Sequence, residues 1–428
     1  MADIRPIPAI HYNPGASADV GSRIAPPYDV IDREGRAALL GRDERNFVKI
    51  DLPHVPAKEA GPPAAYQGAA DQLRRWLADG TLVASKAPAL YLYHQRYRHG
   101  ATEYLRKMFF ARLRLEEFGK GSVFPHEQTF GGPKEDRLLL TKATKCNLSP
   151  IFGVFEDSKN AAVAAMEPAT KNKPLLTGTL DGVENRLWAV SDTATIAQVS
   201  EIMRSKAIFI ADGHHRYGTS LNYRAWLTQE TGGIAADHPA NFVLCVFCAM
   251  EDPGLLILPT HRVLAGLGLD AALFAGDAKL TVADLNVSGA DAAVEALASH
   301  GPQAVGLFTA RDGRYRVVRP KDAGLLDSLE PGHCPAWRRL GLAFLHAYLL
   351  DRRIGSELTG GKMPEIHYVK AAGPAVDEAR STGGSVFLLQ PTTMAEMRAV
   401  CSAGDLMPQK STFFFPKLAS GLIVNPLE

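Results

Sequence analysis

The sequence lacks the long apolar runs of a membrane protein and the leader of an exported one. No window approaches the ~18 apolar residues that a membrane span needs. The first residues, 1–6, show no basic segment leading into an apolar one. We therefore expect a cytoplasmic protein without a membrane partner.

The sequence also has almost no net charge and few cysteines. The formal net charge is +1 over 428 residues. A chain with so little net charge is not attracted to nucleic acid as a whole, and we therefore do not expect nucleic acid as a partner. Five scattered cysteines, an odd number, are typical of reduced thiols. Cys245 and Cys248 have C-x-x-C spacing inside an apolar run, and no second pair completes a zinc site. Buried core thiols are predicted, with a redox or metal role as the alternative.

Three common enzyme signatures are missing as well. The sequence contains no G-x-x-x-x-G-K-[ST] loop, no G-x-G-x-x-G fingerprint and no G-x-S-x-G elbow. We therefore expect neither a P-loop NTPase, nor a dinucleotide oxidoreductase, nor an esterase of the α/β-hydrolase type. No internal repeat is visible, which argues against a solenoid.

What is present is an alternation of strand and helix patterns, with 46% hydrophobic and 22% charged residues. This alternation predicts a mixed fold, α/β to α+β, with several lobes around a central α/β segment. The predicted strands are 89–95, 108–113, 151–155, 187–190, 207–211, 241–250 and 385–389, and the predicted helices are 66–79, 196–205, 218–230 and 338–350. Four segments are expected: an N-terminal α+β lobe (1–155), a central segment (156–265), an α+β insertion (266–332) and a C-terminal segment completing the core (333–428).

The most informative stretch is Asp212-Gly213-His214-His215-Arg216, where an apolar strand pattern ends and a helix pattern follows. Glycine adopts positive φ without strain, and the first amides of a helix have no partner within it. Such a helix start is a natural anion site, and His215 and Arg216 are donors placed beside it. The stretch predicts phosphate or nucleotide binding.

Two other interpretations of this stretch stay open. One is a metal site, although adjacent histidines diverge by about 100° on a helix and do not share a face as the histidines of H-E-x-x-H do. The other is purely structural: Asp212 caps the helix while one histidine makes a local bond.

Carboxylates elsewhere are candidates for a general base or a Mg²⁺ ligand. Asp29 follows a rigid pair of prolines, Glu127 lies in a Pro-bounded loop beside His126, and Asp136 belongs to the charged cluster 134–137. An Asx-turn is the structural alternative for Asp29, and a solvated helix start is the alternative for the cluster.

Two further cationic positions are predicted to contact phosphate or substrate. His261 and Arg262 follow an apolar run and a proline, which repeats the order of strand, turn and His-Arg. Lys410 lies in a polar turn, 407–412, and is preferred to Lys417 because turn residues are freer to reach a ligand.

Five motifs in order resemble one family over essentially the whole chain. They are 25–31 (APPYDVI), 147–153 (NLSPIFG), 210–217 (IADGHHRY), 259–263 (PTHRV) and 425–428 (NPLE). The family is the uncharacterised bacterial and archaeal domain of unknown function 1015, which implies no activity.

The central segment alone, about 50 residues, is also similar to the core of the ParB/sulfiredoxin superfamily, some members of which are free-serine kinases. This resemblance implies that Asp212, Gly213, His215 and Arg216 bind nucleotide phosphates. His214 falls where sulfiredoxins carry a reactive cysteine, so reduction of sulfinic acids is not expected. A DNA-binding helix-turn-helix segment is not apparent either.

The leading hypothesis is therefore a kinase-like phosphoryl-transfer enzyme that uses ATP or ADP with Mg²⁺ and acts on a small hydroxylated metabolite such as serine. Its catalytic candidates are His214, Asp29, Glu127 and Asp136. One alternative is a phosphatase or metal-dependent hydrolase that uses the two histidines. Another is a nucleotide-sensing regulatory protein without catalysis. The oligomeric state is not predicted.

Overall fold

The computed structural model describes residues 1–57, 59–127, 132–362 and 364–428, without the side chains of 132–134. Their contacts divide the chain into two units. The first comprises Met1–Leu256 with Pro416–Glu428, and the second comprises Ile257–Phe415. The limits predicted at 155, 265 and 332 fall inside these units, and the division into four segments stays a prediction.

Strands and helices alternate along both units. The strands are β1 (Ile4–Arg5), β2 (Ile10–Tyr12), β3 (Leu82–Ala84), β4 (Leu90–His99), β5 (Thr102–Arg114), β6 (Val123–Phe124), β7 (Cys146–Asn147), β8 (Ile151–Phe155), β9 (Leu176–Leu180), β10 (Val183–Val190), β11 (Ile208–Asp212), β12 (Phe242–Ala249), β13 (Leu256–Leu258), β14 (His261–Leu264), β15 (Leu280–Asp284), β16 (Val305–Thr309), β17 (Tyr315–Pro320), β18 (His367–Val369), β19 (Ser385–Leu388), β20 (Phe413–Phe415) and β21 (Asn425–Pro426). The α-helices are α1 (Arg33–Arg42), α2 (Val48–Asp51), α3 (Pro63–Ala78), α4 (Gly132–Thr144), α5 (Ala161–Met166), α6 (Thr193–Arg204), α7 (His214–Thr231), α8 (Ala272–Ala275), α9 (Ala290–Leu297), α10 (Pro335–Arg338), α11 (Gly341–Phe344), α12 (Ala372–Thr382) and α13 (Met394–Ser402), and a π-helix spans Leu345–Ser356.

The first unit is built on a nine-stranded mixed sheet in the order β6-β11-β8-β12-β5-β4-β10-β9, with β1 paired to β5. β8 runs parallel to β12 and antiparallel to β11. Every residue of β12 is buried, as expected for an interior strand with a continuous apolar sequence. Cys245 and Cys248 lie there, and burial raises their pKa well above the usual value, which confirms core thiols.

The hydrophobic core of this unit joins the sheet to helices α5, α6 and α7. Phe109, Phe155 and Phe247 pack ring against ring in its centre. Val199 and Met203 of α6 and Tyr217 of α7 contribute from the helices. This packing fixes the end of β11 and the start of α7, where the central motif lies.

The second unit has a six-stranded sheet in the order β15-β17-β16-β19-β14-β18, antiparallel throughout. Helices α9 and α12 pack on it through small and branched side chains such as Ala293, Ala375 and Val376. Together the two sheets confirm the predicted mixed α/β class. Within the described residues, no helix is both long and apolar enough to cross a bilayer.

Most predicted elements are present with shifted ends. The predicted hairpin is β4 and β5, and the predicted helix 66–79 is α3. The main correction is α7, which begins at His214 and not at residue 218. Both histidines and Arg216 therefore lie in the first helical turn and not in a preceding loop.

Candidate functional site

The central motif joins strand β11 to helix α7 through Gly213. The glycine has φ 89° and ψ 28°, in the left-handed region. Helix α7 has 18 residues, and no side chain caps its N-terminus. Its first internal hydrogen bond runs from the Tyr217 amide to the Gly213 carbonyl, 2.9 Å, so the amides of residues 214–216 have no acceptor inside the helix. Asp212 therefore does not cap the helix, which contradicts the purely structural interpretation of this stretch given above.

Gly213 is needed for space as well as for its backbone angle. A Cβ at this position would lie 3.1 Å from both Cζ and Nε of Arg216 and 3.1 Å from the Cα of Ile151. The Arg216 guanidinium thus rests directly on the glycine backbone. Any side chain here would push the guanidinium away from the helix start.

Asp212 ties two cations together. Its Oδ2 accepts a bond of 2.8 Å from Arg216, and its Oδ1 accepts one of 2.9 Å from Lys417. Arg216 also donates to the carbonyl of Pro150. Burial raises the pKa of the Asp212 carboxyl, but Lys417 and Arg216 outweigh burial and hold that pKa well below its usual range. The cluster carries two positive charges and one negative charge.

A small cavity with about 410 Å³ of empty space adjoins this cluster. Its polar lining comes from stretches far apart in sequence, namely Tyr28, Asp51, Arg137, Ser149, Arg216 and Ser220. Three of the motifs quoted above, 25–31, 147–153 and 210–217, therefore contribute to one place. This convergence marks the candidate site of the first unit.

Arg137 is held by the carboxylates of Asp136 and Asp51, the latter at 3.5 Å, and by an aromatic ring. Asp136 binds the guanidinium at 2.6 and 2.7 Å, and the ring of Tyr28 lies 4.0 Å from its centre. Asp136 also accepts a bond of 2.8 Å from Tyr66 and is only 2% exposed. Its carboxylate is thus engaged in fixing Arg137, which does not support the catalytic role expected from the sequence. The side chain of Lys134, in the same cluster, lies outside the described residues.

Asp51 completes this polar network. It accepts a hydrogen bond from Ser149, whose oxygen in turn lies 3.2 Å from the Ser420 hydroxyl. Arg137 donates to the Asp51 carbonyl at 2.6 Å. The network therefore connects the end of α2, the loop before β8 and the C-terminal segment through hydrogen bonds at the cavity wall.

Asp29 differs from the other carboxylates because it is exposed. It lies in the short 3-10 helix Tyr28–Val30 and borders a surface hollow of about 780 Å³. Among the described residues its carboxylate has no hydrogen-bond or salt-bridge partner. Burial lowers the pKa of the Arg216 guanidinium, but Asp212, Asp29 and other nearby groups raise it above its ordinary value. Asp29 is therefore near the start of α7, and its exposed carboxylate is accessible to a substrate or a metal ion.

His214 and His126 form a buried pair and not a loose ligand set. Their ring centres are 4.5 Å apart, edge to face, and the His126 amide donates to Nε2 of His214 at 3.1 Å. Nδ1 of His126 donates to the Ile210 carbonyl at 2.5 Å. His126 is only 1% exposed, so it is buried although the sequence places it in a Pro-bounded loop. Glu127, half-buried, lies 3.7 Å from its Nε2.

The protonation state of His214 follows from this packing. Burial, then the neighbouring His126, lower the pKa of His214 well below its usual value. Since Nε2 accepts a bond, the neutral ring carries its proton on Nδ1. A neutral buried histidine suits a structural role better than the catalytic role predicted for it.

We expect His214→Gln to reduce the loss of stability on acidification. The folded pKa of His214 is depressed, so the unfolded chain binds the extra proton and stability falls as pH drops below about 6.5. Gln keeps an acceptor at the Nε2 position but does not titrate. Chemical denaturation at pH 7 and pH 5 should show a smaller decrease in unfolding free energy for the variant than for the wild type. Equal decreases in the variant and the wild type would contradict a lowered pKa of His214 in the folded protein.

The other predicted binding residues lie in the second unit. Nδ1 of His261 accepts a bond of 3.2 Å from the Leu389 amide, and burial lowers the pKa of His261 to about 4. Arg262 is fully buried and donates to the carbonyls of Gln409 and Lys410 at 2.9 and 3.0 Å. Lys410 thus contributes its carbonyl to Arg262. The lysine found at the central motif is Lys417, which the sequence reasoning ranked second.

Among the described residues, potential metal ligands are not clustered. In the part of the chain that the structure describes, no group of three or more His, Cys, Asp or Glu side chains could hold a metal ion. A zinc-type site with three protein ligands is therefore not found there. Mg²⁺ is a different case, because it is often held by one or two carboxylates and the substrate's own phosphates.

Comparison with known proteins identifies the family. Residues 4–343 match the family described as "Protein of unknown function (DUF1015)". The chain belongs to this family. No curated protein matches the sequence significantly.

Solved structures with weak similarity include nucleotide complexes. A glutamate-to-glutamine variant of a free serine kinase in complex with AMP is 13% identical, with 70% of this chain and 89% of that chain covered and a TM-score of 0.34. A glutamate-to-alanine variant in complex with ADP is 12% identical, with 75% and 94% covered and a TM-score of 0.35. SbnI with a C-terminal truncation, from Staphylococcus aureus, is 11% identical, with 72% and 84% covered and a TM-score of 0.33. Similarity at this level leaves function to be argued from the site.

Proposed function

We propose that this DUF1015 protein is a kinase-like phosphoryl-transfer enzyme. It binds the phosphates of ATP or ADP at the N-terminus of α7 and transfers phosphate to the hydroxyl of a small metabolite, for which serine is the first candidate. The observation that carries this proposal is the uncapped helix start at Gly213, with Arg216 and Lys417 beside it.

Several properties of the helix start favour phosphate. The N-terminal amides that have no acceptor inside the helix and the helix dipole both attract an anion. The left-handed glycine leaves room for the Arg216 guanidinium beside the helix start. Asp212 holds the two cations in fixed positions, so little side-chain entropy is lost on binding. Phosphoryl transfer depends mainly on such positioning and charge neutralisation.

The chain also supplies a group for the chemistry. Asp29 is exposed, lacks a partner among the described residues and lies near Arg216. Its carboxylate suits either a general base that accepts the proton of the substrate hydroxyl or a ligand of Mg²⁺ bound with the phosphates. Bound Mg²⁺ would neutralise charge on the transferred group. Glu127 is the second carboxylate that we keep as a candidate.

The direct test follows phosphorus by NMR. The protein is incubated with ATP, Mg²⁺ and a pool of amino acids and other small hydroxylated metabolites. A new phosphomonoester signal that depends on the protein and on one acceptor supports the proposal. Nucleotide binding in calorimetry without any turnover favours the nucleotide sensor. Absence of both binding and turnover contradicts the proposal.

We expect Lys417→Met to weaken ATP binding by tenfold or more, and Lys410→Met to leave it unchanged. A charge-assisted hydrogen bond to an anion contributes roughly 1.5–3 kcal/mol, and without Lys417 the Asp212 charge would face the phosphates less compensated. Titration calorimetry of the two variants is a matched comparison, because each removes one lysine. If Lys410→Met has the larger effect, the sequence-based ranking is right and the role of Lys417 is wrong.

A further inference from the structure

A second cavity, confined to the second unit, is lined by the buried cation Arg262, which has no anionic partner among the described residues. It has about 630 Å³ of empty space. Arg262 and Ser411 are among the polar residues of its wall, which also include Thr260 and Thr392, and its apolar residues include Leu340, Leu342 and Leu389. No contact with the first unit is involved.

Among the described residues, no carboxylate compensates the charge of Arg262; the ring of Tyr368 lies 5.1 Å from its guanidinium carbon. Its side chain is fully buried on β14 and is held by the carbonyls of Thr260, Gln409 and Lys410. Among the described residues no carboxylate lies within salt-bridge distance, and Nε has no hydrogen-bond partner. Burial lowers the pKa of Arg262 to about 10, so the guanidinium is still positive at neutral pH.

The nearby histidines do not relieve this charge. Burial, and then Arg262 itself, lower the pKa of both His261 and His346 to about 4, and both are neutral at pH 7. A buried charge of this kind is costly unless it is paired. An anion in the cavity would provide the pairing that the protein does not.

Ser411 supplies a second donor on the same wall. It is 4% exposed, and its hydroxyl has no partner among the described residues, while its carbonyl accepts a bond of 2.9 Å from Thr392. Glu396, at the same cavity, is engaged with the Thr393 amide and hydroxyl at 2.8 Å each in the capping box of α13. Two free donors, one of them charged, match the two oxygens of a carboxylate.

We infer that this cavity binds a small organic monocarboxylate with an apolar body, whose carboxylate pairs with Arg262 and Ser411. The apolar wall takes the hydrocarbon part. The two unpartnered donors of the wall, Arg262 Nε and Ser411 Oγ, equal in number the oxygens of a carboxylate, which favours this group over phosphate. The site lies in a different unit from the nucleotide site and does not rest on the proposed function.

The experiment titrates the full chain with isovalerate, hexanoate, their neutral amides and inorganic phosphate, using calorimetry. We expect the acids to bind and the amides and phosphate not to bind. Ser411→Ala should weaken binding of the acids about tenfold. The control Ser381→Ala, which removes an exposed hydroxyl of α12 that bonds the Glu378 carbonyl at 3.0 Å, should leave it unchanged.

A second readout does not depend on the stability of a variant. In the wild type, the Arg262 Nε–H resonance should shift on addition of isovalerate and not on addition of its amide. Its assignment comes from the conservative variant Arg262→Lys. Equal binding of acid and amide, binding of phosphate alone, no binding at millimolar concentration, or binding without a change at Arg262 Nε would each overturn the inference.

Discussion

Replacing Asp212 by Asn should lower the free energy of unfolding by about 1.5–3 kcal/mol, which is typical of losing hydrogen bonds between charged groups in a partly buried cluster. The carboxylate is shared by Arg216 and Lys417. Without it, two cations remain beside the uncapped start of α7, whose dipole also repels them. Chemical denaturation at pH 7 measures the change.

The matched control is Asp71→Asn, in the exposed pair that Asp71 forms with Arg74 on α3. An exposed pair contributes about 0–1 kcal/mol, so this variant should unfold almost like the wild type. If the two substitutions have equal effects, the ion pairs of the partly buried Asp212 cluster contribute no more to stability than an exposed pair.

The pH dependence gives an independent check of the same cluster. The folded pKa of Asp212 is depressed, so its contribution is present above the unfolded pKa of about 3.9 and is lost as pH falls through the folded value. The difference between wild type and Asp212→Asn should therefore be constant from pH 5 to pH 8. A difference that disappears near pH 6 would mean that the carboxylate is not held in its charged form.

The fold could be predicted where local pattern and tertiary packing agree. The β4–β5 hairpin and the buried strand β12 follow from alternation and from a continuous apolar run. The sequence pattern predicts that α7 begins at residue 218, four residues too late, because the polar residues at 214–217 are typical of a loop. In the structure they form the first turn, since Gly213 supplies the left-handed turn and the side chains of His214 and Tyr217 are buried.

The site was predicted only in its local part. The Gly213 turn and the presence of Arg216 follow from adjacent residues. The roles of Lys417 and Asp51 could not be predicted in this way. Lys417 binds Asp212, which is 205 positions away in the sequence, and Asp51 binds Ser149, which is 98 positions away. Long-range contacts of this kind leave no periodic signal in a single sequence. The rigid Pro416 before Lys417 was the one local sign that this lysine is held in place.

Asp29→Asn should lower the rate of phosphoryl transfer by about 10²–10⁴-fold, the range expected for loss of a general base, with little effect on nucleotide affinity. Asn keeps the size of the side chain and removes its charge. The matched control is Asp32→Asn. Asp32 borders the same surface hollow and caps α1 by accepting a bond of 2.7 Å from the Gly35 amide. Asn caps a helix about as well as Asp, so this variant should keep both its stability and its rate.

Two readouts distinguish the roles open to Asp29. If it is a general base, the acidic limb of the rate profile should disappear in the variant, while the Mg²⁺ concentration needed for half-maximal rate stays the same. If it is a Mg²⁺ ligand, that concentration should rise, because a carboxylate is a preferred ligand of this ion. A wild-type rate in Asp29→Asn would exclude both roles and leave Glu127 as the carboxylate to test, since Asp136 is already bound by Arg137 and Tyr66.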